Sequence, residues 1–430
     1  MLPPSPAELN TTIDTLIANH TPYLAHRPVR KILASIEQAI QRWIDPDSSE
    51  RQEAEAHLPE TTSLSSEMIQ HILPLIFQEY RANNLEALLV DELGSLEVLD
   101  HFVPSSQGQK KVYGPPLITH VLAGNLPGAG LDSVIFSLLV KSAALVKASS
   151  TEPLLPKLFT RSIQEVDPDL GSCLAVVTWP GGKADLEDVA LTRADVVVAS
   201  GSDESLAAIR QRVHGKFIGY GHKVSFSLVA KDALTDAEEI AQKAAYDVAL
   251  YDQQGCLSPQ LVYVQEGGAL TPKDFAALLA KALARNQTVL PRGPVTSAVS
   301  TAIRKVRDEA EWQALASKDM VLHASPHGTD WTVIYDADPA FVQSFLYRTI
   351  RVKPLQNVER LSEILDSWRP HIEAVGVAAG PREMIAIAGT LGALGVSRVC
   401  PIGTMQLPPL SWRHGGRPRI SDLVRWAALE

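Results

Sequence analysis

Apolar residues recur every three or four positions through the first hundred residues of the chain. The spacing is clearest in RPVRKILASIEQAIQRWI (27–44) and SLSSEMIQHILPLIFQEY (63–80), and it predicts amphipathic helices there. Beyond residue 100 the texture changes. LITHVLAG (117–124) is a short apolar run of strand type, NLPGAG (125–130) a glycine-rich turn, and LDSVIFSLLVK (131–141) a helix. AALVKAS (143–149), CLAVVTW (173–179) and ADVVVASGS (194–202) read as further strands. LLPKLFTRSIQEV (154–166) and the loop and helix of PGGKADLEDVALTR (180–193) lie between them. Parallel neighbours need a long crossover and a helix supplies it, so this alternation predicts a parallel sheet with helices on its faces.

A second unit of the same kind starts near residue 223. VSFSLVA (224–230) reads as a strand, 236–251 as a helix and QLVYVQ (260–265) as a strand. Helices at 272–286 and in TSAVSTAIRKVRDEAEWQAL (296–315) follow, then the strand DWTVIYD (330–336). The final stretch, CPIGTMQLPPLSWRHGGRPRISDLVRW (400–426), is rich in Pro, Gly and Arg and is expected to be an ordered tail. No internal repeat or low-complexity segment interrupts the pattern.

Composition narrows the function. A chain of 430 residues, 45% hydrophobic and 20% charged, has globular composition and length enough for two to three domains. The net charge of −10, without a basic run, argues against a nucleic-acid-binding protein. Cys173, Cys256 and Cys400 stand far apart with no CxxC pair, so no disulfide framework is expected; with no HExxH or comparable cluster, no metal is expected either. MLPPSPAELNTTIDTL lacks the basic and apolar regions of a secretory signal. The most apolar stretch, 131–150, is broken by Lys141 and Lys147, whereas a membrane helix takes about 20 nearly uncharged residues. No membrane span is expected, and a cytoplasmic location is.

Candidate chemistry gathers at strand ends. In YDQQGCLSPQ (251–260), Gly255 permits a tight turn and Pro259 disfavours helical geometry at Ser258, which puts Cys256 at a helix-to-strand junction. Two readings stand there: an inert core thiol, common for cysteine, or a nucleophile at the mouth of a cleft. Cys173 and Cys400 read as structural. The turn AGNLPGAG (123–130) offers backbone N–H groups and the positive end of a helix to an anion, and Asn125 is either an amide donor at the sheet's tip or a helix cap. Lys147, followed by Ser149 and Ser150, ends a strand where a nucleotide ribose or its 2′-phosphate would bind, or is a solvated surface lysine. Gly201 and Ser202 suit a dinucleotide or a plain helix cap.

In this order the segments resemble the aldehyde dehydrogenase superfamily. AGNLPG resembles its asparagine motif, which implies that Asn125 donates to an oxyanion. VKASS resembles its adenosine-ribose motif, implying cofactor contacts at Lys147, Ser149 and Ser150. VVTWPGG resembles its Pro-Gly loop, implying contacts at Pro180 and Gly181, and VVVASGSDE its Gly-Ser motif, implying Gly201 and Ser202. DQQGC resembles its nucleophile motif, which makes Cys256 the nucleophile. DQQGCLSPQ and the tail from Ser397 are similar to the acyl-CoA reductase family of LuxC type within that superfamily. The resemblance covers roughly residues 113–430.

The resemblance implies an α/β, aldehyde dehydrogenase-like fold: a Rossmann-type parallel-sheet cofactor domain plus a second α/β catalytic domain. Its expected parts are residues 1–222 with the N-terminal helices and dinucleotide site, 223–395 with the nucleophilic Cys, and 396–430 as a tail packing near the active site. It implies reduction of a fatty acyl-CoA or acyl-protein thioester to the aldehyde through acyl-Cys256, with Cys256 ionised by helix N-termini and a bound nicotinamide. It also implies a homo-oligomer and an acyl-transferring partner. The glutamate that activates water in hydrolytic members falls on Gly219, which favours chemistry without water; the ribose-holding glutamate falls in LYRTIRVKPL (346–355), which has no acidic residue. Ser150 occupies a position where NAD-preferring relatives carry glutamate, so NADPH is expected, with NADH as the alternative. His222, His323 and His414 are candidate proton donors by chemistry alone. The competing readings are a hydrolytic aldehyde dehydrogenase, an acyl-phosphate-type semialdehyde dehydrogenase and a non-catalytic scaffold; joint retention of Asn125, Lys147, Gly201, Ser202 and Cys256 argues against the last.

Overall fold

The computed structural model describes residues 3–122, 124, 126–128, 130–317 and 319–430. Helices Pro6–His20, Val29–Ile44, Ser49–Thr62, Ser66–Glu79 and Ala82–Leu93 open the chain. Local chemistry fixes their ends. Ser5 and Glu8 form a reciprocal capping box, and the Ser48 and Ser65 hydroxyls accept the N–H groups of Arg51 and Met68. The three- and four-residue spacing of Ile32, Ile36, Ile40 and Trp43 makes one buried stripe on Val29–Ile44. Trp43 stacks on Phe77 with ring centroids 4.5 Å apart, and this core runs on without a break into the first large sheet.

A hairpin of β1 (Val103–Ser105) and β2 (Gly108–Tyr113) leads into a five-stranded parallel sheet: β3 (Leu117–Val121), β4 (Ala143–Ala148), β5 (Leu174–Thr178), β6 (Val196–Ser200) and β7 (Lys216–Tyr220). The order is β5-β4-β3-β6-β7, so the chain winds outward from β3, crosses back, and leaves a switch point between β3 and β6. This is doubly wound topology, and ligands bind at the carboxyl edge of such a switch point.

The second large sheet comprises β8 (Val224–Val229), β9 (Pro259–Gln265), β10 (Met320–Ala324), β11 (Thr332–Asp336), β12 (Thr349–Leu355), β13 (Ile372–Ala378) and β14 (Arg398–Pro401). Its order is β10-β11-β12-β9-β8-β13-β14, parallel except where β10 meets β11. Separate apolar clusters pack its two faces, as a doubly covered parallel sheet requires. β7 feeds β8 through only residues 221–223, which joins the two sheets closely.

Several details depart from the sequence expectations, and β7, β10, β12, β13 and β14 were not among the strands read there. The tail is not only irregular: β15 (Arg425–Leu429) pairs antiparallel with β2, Arg425 opposite Tyr113 and Leu429 opposite Gln109. The helix expected over 236–251 spans Ala237–Ala249, because the next residues take left-handed backbone and cannot continue it. Among the described residues, no helix is long and apolar enough to cross a membrane.

Candidate active site

Cys256 lies between the helix Ala237–Ala249 and β9, in a turn of unusual backbone. Tyr251, Asp252 and Gln253 have φ of 52°, 52° and 64°, the left-handed region that costs a non-glycine residue about 1–2 kcal/mol. Gly255 then opens the tight turn that holds Cys256, its carbonyl accepting the Ser258 N–H at 3.0 Å. Its own φ is not positive, and it also serves a close approach: a Cβ there would stand 2.9 Å from Gln406 Oε1. A buried ion pair holds the strained turn. Arg348 Nε and Nη2 reach Asp252 Oδ1 at 2.9 and 2.6 Å, and Gly293 N–H donates to Asp252 Oδ2 at 3.0 Å. Leu346, Tyr347 and Arg348 are themselves left-handed, so two strained segments clasp one another. Arg348 belongs to the segment where a ribose-holding acid was sought, and its guanidinium is engaged within the protein.

Cys256 is exposed, whereas Cys173 and Cys400 are buried. The residue reaches solvent, while the surrounding protein displaces much of the thiol's hydration. Burial pushes the thiol up to about 11, and the Glu373 carboxylate pushes in the same direction; the backbone N–H groups of Cys256 and Leu257 pull it back.

The surroundings of Cys256 come from the amino ends of three adjacent parallel strands, β9, β8 and β13. Ser225, second in β8, donates from Oγ to the Cys256 carbonyl at 2.9 Å and accepts the Ala374 N–H of β13 at 3.3 Å. Glu373 is fully buried; Gly415 N–H donates to its Oε1 at 2.9 Å and Ser397 Oγ donates to the same oxygen. The tail packs beneath. Gln406 Nε2 donates to Ser258 Oγ at 2.5 Å, and Asp247 accepts the N–H groups of Gly403 and Met405 at 2.6 and 3.0 Å. Burial raises the Asp247 carboxyl to about 7.

At the β3–β6 switch point lies a cavity of about 180 Å³, bordered by His120, Leu122, Phe136, Ser200, Tyr220 and His414. Burial drives His120 down to about 4, so it is neutral, and it shares a 2.8 Å hydrogen bond with Ser137 Oγ. His414 stacks on Tyr220 at 4.4 Å between centroids; with Gly415 on Glu373, this ties the carboxyl edge of the first sheet to the amino edge of the second. Arg419 pairs with Asp132 at 2.9 Å on the cavity wall.

The residues expected to hold a dinucleotide stand along the carboxyl edge of the five-stranded sheet. Lys147 is half-buried near the end of β4; burial lowers its ammonium, and the Glu187 charge opposes this. Ser149 Oγ and Thr151 Oγ1 are 2.8 Å apart, and Ser150 is exposed. Pro180 and Gly181 are exposed after β5, in a loop fastened by Gly182 N–H to Glu187 at 2.8 Å. Gly201 N–H donates to the Tyr220 carbonyl at 3.1 Å, and Ser202 caps the helix Asp203–Arg210 through Ser205 N–H. Asn125 lies outside the described residues. Of the candidate histidines, His222 is bonded to Gln343 at 2.8 Å, His323 is three strands from β9, and only His414 borders the cavity. Sequence reasoning missed Glu373, Ser225, Asp247 and the Arg348–Asp252 pair; a lone acid in the apolar run HIEAVGVA was the available signal for Glu373. Among the described residues, no group of acidic, His and Cys side chains could hold a metal ion.

A family model described as acyl-CoA reductase (LuxC) matches residues 24–426. The chain is similar to a long-chain acyl-protein thioester reductase of Aliivibrio fischeri, 26% identical over 345 residues, covering 79% of this chain and 69% of that one. It is similar to a protein of the same description from Vibrio harveyi, 23% identical over 429 residues, covering 97% and 85%. Among solved structures, it superposes on bifunctional proline utilization A with TM-score 0.76 at 17% identity, over 100% of this chain but only 45% of that one. It superposes on the glyceraldehyde-3-phosphate dehydrogenase GapN of Methanocaldococcus jannaschii, solved with NADP, with TM-score 0.72 at 14% identity, covering 100% and 95%. With the sheet order, the exposed cysteine ahead of β9 and a family match over nearly its whole length, the chain belongs to the acyl-CoA reductase (LuxC) family and is an oxidoreductase built on the aldehyde dehydrogenase fold.

Proposed function

We propose that this protein reduces a long-chain fatty acyl thioester, carried by coenzyme A or by an acyl-carrying protein, to the aldehyde with NADPH, through an acyl-Cys256 thioester. One observation carries the reading: Cys256 is the exposed cysteine of the three, and the N–H groups of Cys256 and Leu257 are directed at its sulfur. The relatives' description as long-chain acyl-protein thioester reductases supports the substrate class.

In this reading Cys256 attacks the thioester carbonyl and the carrier thiolate leaves. The Asn125 amide and the Cys256 backbone N–H receive the oxyanion, each such donor being worth about 3–4 kcal/mol. Exchange of one thioester for another is nearly balanced, so the protein's contribution is positioning and exclusion of water. Gly219 brings no carboxylate to activate water, and the acyl group waits on sulfur. When bound, NADPH supplies the hydride. Cys256 sulfur is then the leaving group that frees the aldehyde.

The residues present fit that cofactor. No heavy atom lies within 4 Å of where a Cβ would stand on Gly181 or Gly182, so a phosphate can approach the backbone of the loop after β5. Lys147 at the end of β4 would hold the adenosine ribose, and Gly201 and Ser202 would line the far half. The acid nearest to Ser150 in sequence, Glu152, accepts the N–H groups of Leu154 and Leu155 at 2.9 Å, which leaves it turned into a helix end and not toward a 2′-phosphate. GapN's complex with NADP supports a nicotinamide cofactor on this fold. Residues 1–222 would then bind cofactor, 223–395 carry the nucleophile and 396–430 close the site, in a homo-oligomer served by an acyl-transferring partner.

A panel of acyl-CoAs from C2 to C16 tests the proposal, with NADPH consumption and product identity followed together. Aldehyde formation that strengthens toward long chains is expected. Release of free acid, or no consumption with any member, would overturn it.

A further inference from the structure

Exchange at Cys256 must move a proton, because S–H has to be stripped before attack and the departing thiolate has to gain one. Burial holds the thiol well above its ordinary value, so little of the free enzyme carries thiolate at neutral pH. The position where relatives keep a carboxylate is Gly219, and no base there can help.

A different carboxylate stands at the edge that bears Cys256. Glu373 is fully buried at the start of β13, two strands from β9 with only β8 between. Ser225 bridges the two positions through the Cys256 carbonyl and the Ala374 N–H. One carboxylate oxygen, Oε1, is held by Gly415 and Ser397, while Oε2 is buried with no hydrogen-bond partner among the described residues. An unpaired buried carboxylate oxygen costs about 1–3 kcal/mol, which a purely structural acid would recover by pairing both oxygens. The other charged groups nearby are engaged elsewhere. Arg398 on β14 donates to the carbonyls of Thr404, Met405 and Leu407, and Lys223 ahead of β8 donates to the Pro370 carbonyl at 2.9 Å. His414 stacks on Tyr220, with burial lowering its imidazole and the Glu373 charge opposing that.

We propose that Glu373 is the acid–base partner of Cys256, an inference that rests on the acyl-transfer reading above. Oε2 takes the S–H proton as sulfur forms its bond to the carbonyl carbon. The bond from that carbon to the carrier sulfur breaks, and Oε2 returns the proton to the departing thiolate. Acyl–S–carrier and Cys–SH thus become acyl–S–Cys and carrier–SH, with Glu373 ending as it began. Once hydride from NADPH has reduced the acyl group and aldehyde has left, the Cys256 thiolate regains one proton from solvent.

Wild type, Glu373→Gln and Glu373→Asp are compared in two measurements: rapid-quench intact mass for acylation by a long-chain acyl-CoA without NADPH, and the pH profile of Cys256 alkylation by iodoacetamide. Glutamine keeps the acceptor used by Gly415 and Ser397. Glu373→Gln is expected to acylate about 10²-fold more slowly, with Glu373→Asp recovering part of the loss. Alkylation of Glu373→Gln is expected to be faster than wild type at pH 7, with its midpoint moved down, because a negative charge beside the sulfur is gone. Slower acyl transfer from a more readily ionised thiol is not what misfolding produces. Acylation at the wild-type rate in Glu373→Gln overturns the proposal, and so does slower alkylation, which marks a structural role. If wild type itself never acylates at Cys256, the acyl-transfer reading falls and takes this one with it; that outcome is visible in wild type alone.

Discussion

At the carboxyl ends of β4, β5 and β6, the residues proposed to hold a dinucleotide are half-exposed or exposed: Lys147, Ser149, Ser150, Pro180, Gly181, Gly201 and Ser202. Apart from Lys147, inside β4, they stand in short turns between a strand and the next helix, and they reach near neighbours in the same sheet edge. At the amino ends of β8, β9 and β13 the construction is the reverse. Ser225, Asp252 and Glu373 are buried there, backbone strain is concentrated in two clasped segments, and the supporting contacts come from residues far away in sequence. A cofactor that comes and goes requires open backbone. A thiol that must hold an acyl group away from water requires a fixed, poorly hydrated cleft.

The contrast is most sharply tested at the clasp. Arg348→Met leaves the Asp252 carboxylate buried without its cation, and a loss of about 3–5 kcal/mol in unfolding free energy is expected from urea titration. Hydrogen exchange should accelerate through 250–258 far more than through 196–202; equal acceleration at both would erase the distinction. On the open edge, Lys147→Ala is expected to raise KM for NADPH about 10- to 100-fold, with kcat little changed, as for the loss of one charged hydrogen bond. A fall in kcat alone would place Lys147 in chemistry instead of binding.

A pH-dependent effect concerns the tail. Asp247 titrates at about 7 in the folded chain, held up by burial, against about 4 when unfolded. Between those values the folded state binds a proton that the unfolded state has released. Its stabilisation is therefore full below pH 4 and is lost as pH rises through 7, with a slope of up to about 1.4 kcal/mol per pH unit. Urea midpoints of wild type and Asp247→Asn, compared from pH 5 to 8, should show that slope in wild type and its absence in the variant.

The same contrast governs what could be read from sequence. The alternation from 117 to 202 gave away four of the five strands of the first large sheet, because each strand–turn–helix step is local and follows hydrophobic period; β7, with Gly219 inside it, was not read. The tight turn opened by Gly255 was legible in DQQGCLSPQ, whereas the left-handed backbone of Tyr251, Asp252 and Gln253 just ahead of it left no local mark. Glu373 was not legible: one acid in HIEAVGVA looks like a strand end until the tail, some forty residues on, closes over it through Gly415. The pairing of β15 with β2 was hidden for the same reason, since register between distant strands leaves no local mark.

The central claim is tested most directly by mixing the protein with a long-chain acyl-CoA in the absence of NADPH and weighing it intact, with Cys256→Ala as control. Wild type should gain the mass of one acyl group, mapped to Cys256, and lose it as aldehyde when NADPH is added; the variant should gain nothing. An adduct on another residue, or aldehyde made by Cys256→Ala at the wild-type rate, would contradict the account.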